Sequence, residues 1–267
     1  MEIPRLARID IFPIKSLDGI SVDRVQVSSA GTLVADREFA LVDQKGYWIN
    51  GKRTSAIHHL RSTYDLENRR ITLGIEGHDD RATFSLEHER DRIITWIGRY
   101  LQQPVKLRQS REGSFSDDVK ASGPTSVSTA TLEAVAQWYS HLSVDELRRR
   151  FRSNLEIDGV PAFWEDCLYD APGTLKPFSL GTVPFVGCYP CQRCIVPTRD
   201  SRTGEGDRKF QKTMAAQREQ TLPEWANRDQ FKHFYRLAVN TKIPEPAEDL
   251  WLSVGDRLTF PTEDAKG

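Results

Sequence analysis

The chain has 267 residues, enough for one or two domains with a buried core. Lys plus Arg total 37 and Asp plus Glu total 38, so the net charge of −1 excludes a general pull toward nucleic acid or anionic membrane and makes any anion site local. Four cysteines are too few for a disulfide scaffold, and three of them fall within the short stretch Cys188–Cys194.

In chain order, Ala7, Ile9 and Ile11 alternate with Arg8 and Asp10, which predicts a half-buried strand. The charges of this first segment leave no apolar stretch for a secretory signal, and no run reaches the length of a membrane span. The expectation is a cytoplasmic protein with reduced thiols that engages neither membrane nor nucleic acid. Further strand-like runs stand at 22–27, 38–42, 47–49, 63–66, 71–75 and 82–86, separated in part by turn signals such as Asp18-Gly19 and Asn50-Gly51. Many short strands at this spacing suggest a barrel or sandwich.

Ile93, Ile94, Trp96, Ile97, Tyr100 and Leu101 sit at helical spacing, with Pro104 just beyond. Residues 108–125 are poor in apolar side chains and read as a connection between two lobes. A second helix is predicted through Leu132, Val135, Ala136, Tyr139 and Leu142, with Ser128 and Thr129 at its capping positions. Ser143 and Glu146 form a capping-box pattern for a short basic helix through Arg150. Strands follow at 154–157, 179–185, 194–198, 236–239 and 257–260. The stretch 200–225 holds only Phe210, Met214 and Leu222 as scattered anchors and reads as a long functional or mobile loop.

The chemistry concentrates in the C-x2-C-x2-C of Cys188, Cys191 and Cys194. Thiolates are soft metal ligands. A four-ligand zinc site would need Cys167 as well, a dithiol redox pair would use two neighbours, and a single metal-binding thiolate would leave the others structural. Lys15, Ser16, Arg37 and the run Arg148–Arg152 could together hold a phosphate, since Arg and Lys supply donors and a capped helix start adds backbone N–H groups. His58-His59 is a poor chelate, because adjacent side chains on a strand point to opposite faces.

The order of motifs is similar to that of the MOSC family, named for the C-terminal domain of molybdenum cofactor sulfurases. Within it the chain resembles proteins with a MOSC N-terminal β-barrel domain, such as the mitochondrial amidoxime-reducing component and its bacterial relatives. FPIKSLDG, GTLVADREFALVD, RFRSNLEIDG, FWEDC and QRCIVPTRDSRTGE carry the likeness, with LAVNTKI and SVGDRLTF near the end. The resemblance implies a mainly β, α+β protein: an N-terminal β-barrel-like domain over residues 1–110 and a MOSC β-barrel domain with a few helices over 111–267. It implies Cys194 as the protein ligand to molybdenum, and Lys15, Ser16, Arg37, Ser128, Thr129 and Arg152 as contacts to the phosphate and pterin of molybdopterin. Asp200 would stand at the mouth of the metal site and help transfer protons.

The implied activity is reduction of a small N-hydroxylated or N-oxide substrate by the molybdenum cofactor. The chain contains neither a ferredoxin-like domain nor an aminotransferase-like one, so the expected electron source is a separate flavin, haem or iron–sulfur protein, and pyridoxal phosphate is not expected. Two other readings stay open: a cofactor carrier or sulfur-transfer module, with a Cys194 persulfide resolved by Cys188 or Cys191, and a non-catalytic zinc protein using all four cysteines.

Overall fold

A computed structural model describes residues 3–246 and 249–261. The chain opens with β1 (Arg5–Ile11). Its inward residues are Leu6, Ile9 and Ile11, not Ala7. The pairing shifts between Leu6 and Arg8, and a bulge of this kind resets which face each side chain takes. The run expected at 22–27 is two strands, β2 (Ile20–Val22) on β1 and β3 (Arg24–Gln26) on a strand from the far end of the chain. The wholly buried β4 (Phe39–Val42) follows, but 47–49 contributes only an isolated bridge from Trp48 to Val42. An antiparallel meander of β5 (Leu60–Asp65), β6 (Arg70–Ile75) and β7 (Arg81–Ser85) leads into α1 (Arg90–Leu101) and β8 (Lys106–Gln109), which pairs with β4. The apolar face of α1, Ile93 and Ile97, closes a core with Ile14, Phe39, Ile57, Ile71 and Phe84.

The second half runs β9 (Ser126–Ser128), α2 (Thr129–Gln137), α3 (Val144–Phe151) and β10 (Leu155–Asp158). Ser143 Oγ accepts from the Glu146 N–H and starts α3, as its sequence predicts. The segment expected as one strand at 179–185 is a hairpin of β11 (Lys176–Leu180) and the long β12 (Val183–Gln192), turning at Gly181 with φ +56°. The strand expected at 194–198 is a 3-10 turn over Val196–Thr198: Pro197 has no N–H for a ladder, and the Thr198 hydroxyl donates to the Ile195 carbonyl.

The expected loop 200–225 contains α4 (Phe210–Gln220). Phe210, Met214 and Arg218 form its buried face, and Arg218 donates to the Asp166 carboxylate while lying against Phe163 and Phe231. The chain then adds β13 (Arg236–Lys242), β14 (Trp251–Ser253), which pairs with β3, and β15 (Leu258–Thr259).

The main body is an eight-stranded mixed sheet in the order β15-β11-β12-β13-β9-β10-β1-β2, with β9 and β10 parallel. Its ladder does not close into a barrel, although an isolated bridge from Arg5 to Arg257 draws its two ends together. The protein is thus mainly β with four α-helices among the described residues. No described helix is long and apolar enough to cross a membrane.

Candidate functional site

The turn after β1 and the segment before β4 are locked together. Asp36 Oδ1 accepts from the Phe12 N–H at 2.9 Å, and the Arg37 N–H donates to the Phe12 carbonyl at 2.8 Å. Lys15 N–H donates to the Phe39 carbonyl at 2.8 Å. Ser16 (φ +74°) and Arg37 (φ +49°) both adopt the left-handed backbone that non-glycine residues avoid. Arg152 (φ +54°) does the same where it caps the C-terminus of α3. Such outliers cost about 1 to 3 kcal/mol each and persist where surrounding structure over-determines them. Here they aim three side chains at one place.

Arg152 lies 4.0 Å over the Phe12 ring and Arg37 lies 5.1 Å over the same ring. Arg37 donates to Asp36, to Asn154 Oδ1 at 3.3 Å and to the Arg152 carbonyl at 3.3 Å. Arg152 has no ion pair among the described residues, and its buried Nη2 has no hydrogen-bond partner. Burial, then the neighbouring Arg37 charge, bring its guanidinium down to about 10. The Lys15 ammonium donates to the Phe115 carbonyl at 2.8 Å and to Asp117. Burial lowers the Lys15 pKa more than Asp117 raises it.

These groups line one cleft of about 1420 Å³. Fourteen Lys or Arg side chains border it against six Asp or Glu, a strong local surplus in a chain whose net charge is −1. Buried donors without partners recur around it: Arg199 Nε and Arg236 Nε join Arg152 Nη2. A phosphate-bearing group fits this lining, because it supplies the acceptors that the buried guanidinium donors lack.

Cys194 and Cys191 open on the same cleft. Cys194 follows the end of β12, and its Sγ lies 3.5 Å from the Val196 N–H. Cys191 Sγ accepts from Arg193 Nη1 at 3.0 Å. Cys188 is buried within β12, where burial pushes its thiol up. Cys167 sits on the 3-10 turn Trp164–Leu168, away from the cleft lining, and burial pushes its thiol up to about 12. Among the described residues no three His, Cys, Asp or Glu side chains converge as a metal site, so the four-cysteine zinc arrangement has no geometric support.

Of the sequence candidates, Lys15, Ser16, Arg37, Arg152 and Cys194 share the cleft, and Ser128, Thr129 and Asp200 do not line it. Ser128 is fully buried as the N-cap of α2, accepting from the Thr131 N–H, and the Thr129 hydroxyl donates to Glu156 at 2.9 Å. Asp200 shapes its own turn: its Oδ1 accepts from the Arg202 and Thr203 N–H groups, and its Oδ2 lies 3.6 Å from Arg150. Burial would raise the Asp200 pKa, but those backbone donors outweigh it and hold the group ionised.

Sequence reasoning weighs His58 only as a poor chelate with His59 on a strand; the pair instead ends the 3-10 turn Ser55–His59, and His58 belongs to the cleft. It lines the cleft with an unpartnered Nε2, and burial, then Arg199, bring its pKa down to about 4. Only folding brings it there, and no spacing signals it.

Residues 3–144 match the MOSC N-terminal beta barrel domain and residues 118–259 match the MOSC domain. Each match covers more than half of the chain. The chain is 25% identical over 231 residues to the molybdenum cofactor sulfurase of Drosophila erecta, covering 76% of this chain and 28% of that protein. To the sulfurase of Caenorhabditis elegans it is 26% identical over 223 residues, covering 76% of this chain and 30% of the other. To mitochondrial amidoxime reducing component 2 of Rattus norvegicus it is 26% identical over 254 residues, covering 78% and 70%. The chain thus spans about a third or less of the length of the sulfurases it matches. These two matches, which overlap over residues 118–144, place the chain with its cationic, thiol-walled cleft in the MOSC family, with a MOSC N-terminal domain followed by a MOSC domain.

Proposed function

We propose that the protein is a molybdenum-cofactor-dependent oxidoreductase that reduces N-hydroxylated or N-oxide compounds. One observation carries the reading: the Cys194 thiol opens on the same cleft as the unpartnered Nη2 of Arg152 and the side chains of Lys15, Ser16 and Arg37. The likeness to an amidoxime reducing component supports it.

In this reading Cys194 supplies the protein's thiolate to the metal, and Lys15, Arg37 and Arg152 bind the phosphate, with the Ser16 hydroxyl beside them. The cofactor, when bound, supplies two-electron redox chemistry. The remaining work falls to the protein. The Phe12 ring and Asn154 hold the two guanidinium groups in place. His58, neutral at pH 7, offers Nε2 as a hydrogen-bonding atom without adding charge. Electrons would come from a separate flavin, haem or iron–sulfur protein. Four free cysteines suit a reducing compartment such as the cytoplasm.

The test is metal and pterin analysis of protein from a molybdenum-replete host, followed by reduction of N-hydroxylated compounds with a chemical reductant. Stoichiometric molybdenum with activity abolished in Cys194→Ala but kept in Cys188→Ala is the expected result. Pterin-free protein from such a host would overturn the reading.

A second reading, sulfur transfer, draws on Cys191, which shares the cleft with Cys194 and takes the Arg193 hydrogen bond. Cys194 would then take the outer sulfur of a sulfane-sulfur donor such as a protein persulfide, releasing the donor's thiol, and attack of the Cys191 thiolate on the inner sulfur would release hydrosulfide and leave a Cys191–Cys194 disulfide for a dithiol to reduce. A mass increase of one sulfur atom on Cys194 after incubation with a sulfur donor distinguishes this case.

A further inference from the structure

The cleft holds more cationic donors than the Lys15, Arg37 and Arg152 group. Arg236 opens β13, where its backbone pairs with Gln192, two residues before Cys194. Its side chain lines the cleft. Nη1 donates to the Pro190 carbonyl at 3.0 Å, while the buried Nε has no partner. Arg236 makes no ion pair among the described residues. Lys232, one turn of chain earlier, is exposed and lines the same cleft. Its ammonium likewise has no ion pair among the described residues. A half-buried guanidinium held by one carbonyl, with its buried Nε–H unused, is arranged for an oxyanion that is not part of the protein.

We propose that the substrate carries an oxyanion, a carboxylate or a phosphate ester, and that Arg236 binds it beside Cys194 with Lys232 adding charge at the cleft wall. This rests on the reductase reading for the reacting group, but the anion subsite stands on its own geometry. Arg236 is then a specificity residue that selects anionic over neutral members of one substrate class. A charge-assisted hydrogen bond to a half-buried guanidinium corresponds to about tenfold or more in affinity.

The experiment compares benzamidoxime with its 4-carboxy and 4-phosphate derivatives. Calorimetry reads binding to the purified protein, and turnover with a chemical reductant reads kcat and KM on the cofactor-loaded protein. At least one anionic compound should bind about tenfold more tightly than the neutral one, and the advantage should appear in KM. Which of the two gains more identifies the oxyanion. Arg236→Gln should bring the anionic-to-neutral ratio near one, Arg236→Lys should retain part of it, and Lys232→Gln, on an exposed residue, should lower it without affecting folding. Equal binding of all three compounds by the unmodified protein, or a ratio unchanged in Arg236→Gln, overturns the proposal. Preferential binding of the anions without any reduction sustains the subsite and counts against the reductase reading alone.

Discussion

The Asp117 carboxylate accepts a hydrogen bond from the Lys15 ammonium, and Lys52 reaches its other oxygen at 3.2 Å. The next residue, Asp118, accepts from the Tyr189 hydroxyl at 2.9 Å on β12 and from Asn240 Nδ2 at 3.3 Å on β13. The connecting segment therefore crosses the cleft, and its Asp117 carboxylate already occupies two of the cations that an incoming phosphate would meet. Asp117→Asn should raise affinity for inorganic pyrophosphate roughly threefold to fivefold at low ionic strength. The gain should fade in concentrated salt, where exposed charges are screened. Calorimetric titration measures it, and an affinity unchanged at low salt would show that Asp117 does not compete.

Arg152 places a charge in a half-buried position without an ion pair among the described residues. Its ligand-free state should therefore be less stable than that of a neutral variant of similar shape. Arg152→Met is expected to unfold at an equal or higher temperature, by an amount on the order of 1 kcal/mol, while losing the bound pterin. Thermal unfolding together with pterin fluorescence decides this. A marked drop in melting temperature would mean that the guanidinium is a structural pin.

The Thr131 hydroxyl joins Ser128 at 2.7 Å to Glu165 at 2.9 Å, linking the start of α2 to the 3-10 turn at 164–168. Burial, then the Asp166 charge, push Glu165 up to about 7. Its folded pKa lies above the value of about 4.3 for an unfolded glutamate, so the folded state binds this proton more tightly. The stability it provides is full below that unfolded value and declines as pH rises toward 7. Glu165→Gln keeps the neutral form at every pH and should gain about 3 kcal/mol at pH 8 and little at pH 4. Urea unfolding at both values checks the sign, and equal effects at the two pH values would contradict it.

Gly187 precedes Cys188 in β12. A Cβ there would fall 1.7 Å from the Leu168 carbonyl oxygen, an approach that only a backbone shift can relieve. Gly187→Ala should cost about 3 kcal/mol or more, read as a lowered melting temperature or as insoluble protein. A stable variant would mean that the 164–168 turn moves freely against the strand.

What the sequence disclosed and what it hid follow from the range of the forces involved. Hydrophobic period marked β1, β6, β7 and α1, because each buries its own apolar residues. Helix α4 was hidden because one of its three buried positions is Arg218, which counts as polar until Asp166, Phe163 and Phe231 are seen around it. Ser128 and Thr129 illustrate the opposite problem. A hydroxyl at a helix start suits an N-cap or a cofactor contact equally well, and the structure shows Ser128 capping α2 and Thr129 bonded to Glu156. Lys15, Ser16, Arg37, Arg152 and Cys194 were found through motif order, whereas His58 and Arg236 lie outside those motifs and enter the cleft only through β-sheet geometry and turns.

The left-handed backbone at Ser16, Arg37 and Arg152 has a practical corollary for dissecting the cleft. Alanine, the usual deletion, removes the side chain but retains the steric penalty of the turn. Glycine adopts these torsions freely, so at these three positions it is the more neutral eraser. Glycine and alanine at the same position form a matched pair: both delete the functional group, and their difference in stability, once the greater freedom of glycine in the unfolded chain is allowed for, measures how much conformational energy the fold stores to aim it.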